Sequence, residues 1–151
     1  MSIENQKFIA GDEATPQQVL DMAHQYRRAA DVLMSTGRKG NWLSQAPYRL
    51  VAIQAIELYL SAFLMERGQT PEDMRRLGHD VGQRSLLAAE AGLPLRESTK
   101  ADLKRMSEER EYSIMRYGPE LTVKLSPPNR MDATLKDVAK KVMAAINSKR
   151  G

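Results

Sequence analysis

The sequence predicts an all-α protein, a four- to five-helix up-and-down bundle, and three observations carry that expectation. Apolar residues recur at three- and four-residue steps in one segment after another. Strict alternation is confined to one short stretch, which has nothing obvious to pair with. Each periodic segment is also bracketed by residues that start or stop helices. At 151 residues the chain is long enough for one domain with a substantial core. That domain is expected over 15–148, between a flexible segment 1–14 and a short tail 149–151.

Thr15-Pro16-Gln17-Gln18 opens the first helix with a hydroxyl cap, proline at the first helical position, and Gln18 where a capping box needs it. Val19, Met22, Ala23, Tyr26, Ala30 and Leu33 then follow one stripe to a stop at Gly37. The loop from Arg38 to Gln45 is polar apart from Trp42 and Leu43. A second helix, 46–67, is apolar on nearly every side, from Leu50, Ile53 and Ile56 to Phe63 and Leu64. Such a helix is central in a bundle or shared with a second subunit. Its apolar run is interrupted by Arg49, Gln54 and Glu57, which favours a buried helix over a membrane span.

Thr70-Pro71-Glu72-Asp73 starts a short turn that ends near Gly78. The third main helix is expected over 79–91, with Gly92 as its stop. Ser98 or Thr99 caps a fourth, 99–117, which Gly118-Pro119 breaks. Residues 118–130 carry Leu121, Val123 and Leu125 in alternation and read as an extended arm. The last helix, 131–148, places Leu135, Val138, Val142 and Ile146 inside and Lys136, Lys140 and Lys141 outside.

Composition excludes several functions. Without cysteine there are no disulfides, thiolate zinc sites or cysteine nucleophiles. Two histidines leave little for a transition metal, so no metal or other cofactor is expected. The net charge of +4 leans towards acidic partners such as nucleic acid, although 19 acidic residues are interspersed with 23 basic ones. Basic residues gather at Arg27, Arg28, Arg38 and Lys39, and again at Lys140, Lys141, Lys149 and Arg150. These could track a nucleic-acid backbone or simply be solvated helix ends. The N-terminus has no secretory pattern, and the cytoplasm is the expected compartment. No phosphate loop, nucleophile elbow or metal motif is present.

The informative run is Leu103, Met106, Arg110, Ile114, Tyr117, one helical face with a guanidinium in the middle of it. Two readings are open. Arg110 and Tyr117 could meet phosphate or a base, since guanidinium donates two parallel hydrogen bonds and the phenol adds a stacking face. Alternatively Arg110 is structural and paired with a buried carboxylate, Glu57 being the natural candidate. Arg116 adds positive charge, but adjacent helical positions diverge and it is expected to point away. Glu57, set among Ile53, Ile56, Leu58 and Leu60, needs a partner in Arg110 or His79. His79-Asp80 follows Gly78 at a helix start, where aspartate caps exposed amides and histidine packs, caps or catalyses. His24 looks incidental.

With these residues the chain resembles the HEPN superfamily of small helical domains. The resemblance covers roughly 15–120 and rests on AIQAIELYLSAFLMERG, LGHDVGQRSLLAAEAGL and REYSIMRYGPE. The superfamily's ribonuclease motif is arginine, four residues, histidine, one residue, tyrosine. It lays arginine on Arg110 and tyrosine on Tyr117, with Met115 at the histidine position. A thioether cannot move a proton, so the match is nearer the non-catalytic branch, with Arg116-Tyr117-Gly118-Pro119 as an Arg-Tyr-Pro-like ending. The resemblance implies a homodimer that binds a nucleotide, RNA or a protein partner such as a nucleotidyltransferase. The alternatives are a metal-independent, toxin-like ribonuclease with another group replacing the histidine, and a purely structural helical dimer.

Overall fold

The structure, a computed structural model, describes residues 9–148, and within them it is all-α. The helices are α1 (Pro16–Met34), α2 (Ala46–Glu66), α3 (Pro71–Leu77), α4 (Val81–Glu90), α5 (Glu97–Glu108), α6 (Glu111–Tyr117) and α7 (Pro128–Ser148). Two 3-10 helices, Trp42–Gln45 and Pro119–Lys124, precede α2 and α7. Most of the segment 1–14 and all of the tail 149–151 lie outside the described residues.

Local chemistry fixes several helix starts as expected. Thr15 Oγ1 accepts the Gln18 amide while Gln18 returns a bond to the Thr15 amide, a complete capping box. Thr70 and Asp73 repeat the device before α3, and the Thr70 amide holds the Asp73 carboxyl below its usual range. The third main helix begins two residues later than expected, at Val81, because Asp80 is its N-cap.

The packing is organised around α2, which contacts α1, α4, α6 and α7. Twelve of its 21 residues are buried, among them Ile53, Ile56, Tyr59, Leu60 and Phe63. Of the two places expected for so apolar a helix, the central one is what the chain shows, because neighbours meet α2 from several sides. By length and composition Trp42–Glu66 could cross a membrane, but 67% of its apolar window is buried inside the protein.

Three further expectations fail. No side chain of its own caps α5; Asp137 of α7 does so instead, accepting the Arg96 amide at 3.0 Å and the Thr99 hydroxyl at 2.7 Å. Burial alone would raise the Asp137 carboxyl, but these bonds and the Lys141 ammonium at 2.9 Å outweigh it and hold the carboxyl low. The expected arm at 118–130 is a 3-10 helix followed by only a short extended link, and α7 starts at Pro128. Proline at 119 pre-sets a helical φ, and Thr122 bonds back to the Pro119 carbonyl. Finally, His24 is not incidental: its Nδ1 lies 2.7 Å from the hydroxyl of buried Tyr59, tying α1 to α2.

Candidate functional site

The segment 97–117 contains neither glycine nor proline, and its stripe predicts one continuous helix. The helix is broken instead at Arg110, whose φ of 53° and ψ of 45° are left-handed. Among the described residues Arg110 is the one non-glycine with positive φ. For a residue with a Cβ this conformation costs about 1–2 kcal/mol. A buried ion pair stands next to it. Glu111, the first residue of α6, is fully enclosed, and its Oε1 accepts Nη1 of Arg49 at 2.7 Å. Arg49 is itself buried in α2, and its other Nη donates to the Ser126 carbonyl. Burial pushes the Glu111 carboxyl up, and the Arg49 and Arg105 guanidiniums pull it back part of the way.

The bend corrects the sequence reading of Arg110. It does not sit on an apolar stripe and does not pair with Glu57. It is exposed, and its guanidinium has no partner among the described residues. It lines a cleft of about 380 Å³ between the start of α4, the end of α5 and α6. His79, Ser107, Tyr112, Ser113 and Arg116 share that cleft, over a floor of Ile53 and Met106.

Glu57 reaches His79 instead. Its Oε1 lies 2.8 Å from Nδ1, and Nη1 of buried Arg84 stands 3.9 Å from the same oxygen. Because the carboxylate can only accept, Nδ1 of a neutral His79 carries the hydrogen and Nε2 is left as an acceptor. The imidazole stacks on Tyr112 with ring centroids 4.0 Å apart and planes 21° apart. Arg84 is anchored by Ser61, the Met74 carbonyl and the Asp80 carbonyl, and burial lowers its pKa.

Asp80 behaves as a cap. Its Oδ1 accepts the Gln83 amide and the Ser107 hydroxyl at 2.9 and 2.7 Å, and Ser107 Oγ accepts the Gly82 amide. This chain locks α4 against α5 at one wall of the cleft.

Arg116 was expected to point away, yet it lines the cleft. Its guanidinium lies 4.8 Å from the Tyr117 ring centroid and 5.4 Å from that of Tyr112, whose hydroxyl its Nη1 also reaches. Tyr117 is 72% exposed on the outer side of that arginine. The structure thus gathers Arg110, Arg116, His79 and Asp80 at one cleft and leaves Tyr117 at its edge. Tyr112 is the component that sequence reasoning did not place. Its signal was its spacing to Arg116, one helical turn on the same face.

Chemically, the cleft presents one unpaired guanidinium, a second held on aromatic faces, two serine hydroxyls and an oriented imidazole. Among the described residues no group of three or more His, Asp or Glu side chains could hold a metal ion. No family model, curated protein or solved structure matches the chain.

Proposed function

We propose that the protein is a dimeric, HEPN-like binding module that takes a phosphate-bearing ligand, a nucleotide or RNA, in the cleft beneath α6 without catalysis of its own. The observation that carries this reading is that the free Arg110 guanidinium and Arg116 line one concave site. Guanidiniums are suited to phosphate by their fork geometry, and the exposed Tyr117 ring offers a stacking face for a base. The homodimer is supported by apolar side chains that the fold leaves outside: Trp42, Leu43, Leu121 and Val123 are exposed on two 3-10 helices that lie against each other. A nucleotidyltransferase-type partner belongs to the same proposal and rests on the family resemblance, and a cytoplasmic location belongs to it on the reading of the N-terminal sequence.

The test is incubation of the purified protein with total RNA and with a nucleotide panel, read by thermal shift and by cleavage. Phosphate-bearing ligands are expected to raise the melting temperature without being cut, and Arg110→Ala to lose the effect. No shift with any ligand would sink the reading.

One observation favours a second reading, a metal-independent ribonuclease. His79 lines the same cleft as Arg110, and Glu57 orients its ring in the way a general base is oriented. Met115 still occupies the motif position and cannot supply a proton. RNA cleavage lost in both Arg110→Ala and His79→Ala would establish this reading over the first.

A further inference from the structure

We propose that Glu111 is a positioning residue for the cleft: its buried pair with Arg49 holds the bend between α5 and α6, and the bend brings Arg110 and Arg116 to one ligand. This rests on the cleft being a phosphate site. In a straight helix, residues six apart point about 120° away from each other, so Arg110 and Arg116 would not face a common ligand. With Arg110 left-handed, both line the same cleft.

Nothing local demands that bend. The segment has no glycine or proline, and its own pattern runs straight through. The demand comes from Glu111, which is clasped from two elements: Arg49 of α2 at 2.7 Å and Arg105 of α5 at 3.5 Å. Its second oxygen is buried and has no hydrogen-bond partner. A carboxylate held this way by a buried arginine at the first residue of α6 requires the chain to turn just before it. Arg49 in turn holds the Ser126 carbonyl, so the same guanidinium anchors the link into α7. The pair therefore couples the core to the cleft: the bend persists while the pair does.

The test replaces the pair with apolar residues, Arg49→Met with Glu111→Leu, because buried ion pairs commonly tolerate such exchange with the fold kept. Arg49→Leu with Glu111→Gln, which removes the guanidinium and so breaks the contact while leaving a neutral side chain of the same length at 111, serves where the first double variant does not fold. Two readouts separate positioning from stability. Backbone chemical shifts of Arg110 report its left-handed conformation. Fluorescence anisotropy with a labelled oligouridylate, repeated across salt concentrations, counts phosphate contacts.

The expected result is a folded variant whose Arg110 shifts turn helical, whose affinity falls about tenfold, and whose salt slope falls by about one contact. A variant that keeps the left-handed shifts, the affinity and the slope overturns the proposal. If the wild type binds no oligouridylate, the cleft reading fails, and the Arg110 shifts still decide whether the pair holds the bend.

Discussion

Oε1 of Glu57 lies 2.8 Å from Nδ1 of His79, which joins the middle of α2 to the residue before the α4 cap. The contact settles two questions at once. A carboxylate among apolar neighbours needs partners, and His79 and Arg84 are those partners. Arg110 is consequently left without a side-chain partner among the described residues.

Binding of single-stranded RNA should weaken as salt rises. Arg110→Ala should lower the slope of log affinity against log salt by about one, and Lys136→Ala, on the exposed face of α7, should leave it unchanged. Anisotropy titrations between 50 and 200 mM salt, concentrations at which such contacts are well resolved, check this.

Arg49→Met alone should destabilise the fold by about 3–5 kcal/mol, because it strands the enclosed Glu111 carboxylate. Urea denaturation reads the loss, and adding Glu111→Leu should restore most of it. Arg110→Ala, at an exposed position, should not approach that cost.

Asp137→Asn should cost about 2 kcal/mol at neutral pH through weakened bonds to the Arg96 amide, Thr99 and Lys141. The folded carboxyl is held below its unfolded value of about 3.9, so its contribution is complete above that pH and disappears as pH falls through the folded value. The gap between wild type and variant in denaturation experiments should therefore close in acid. A gap that widened on acidification would contradict the assignment.

Gly82→Ala should destabilise by about 1 kcal/mol, although alanine is the better helix former by about the same amount. The new Cβ would meet Ser107 Oγ at 2.7 Å and Ser107 Cβ at 3.0 Å, and Ser107 cannot move without releasing Asp80. Thermal denaturation should show the loss, and combining the change with Ser107→Gly should relieve the clash.

The sequence by itself determined the helical class, the start of α1 and the place of α3, which it read as a short turn. Those features depend on contacts three or four residues apart, such as Thr15 with Gln18 and Thr70 with Asp73, and such contacts are written in the local order of residues. It also pointed to the neighbourhood of Arg110, Arg116, His79 and Glu57. What it could not decide was who meets whom. Arg49 finds Glu111 across 62 residues, Asp102 finds Thr134 across 32, and Asp137 caps a helix 41 residues earlier. A buried charge takes the nearest partner in space, and for these groups that distance is fixed by how α2, α5, α6 and α7 dock. The bend at Arg110 follows from the same cause. The local pattern favours a straight helix from 99 to 117, and what stands against it, the enclosed Glu111 clasped by Arg49 just beyond the left-handed residue, is a contact that only docking of α2 and α6 creates.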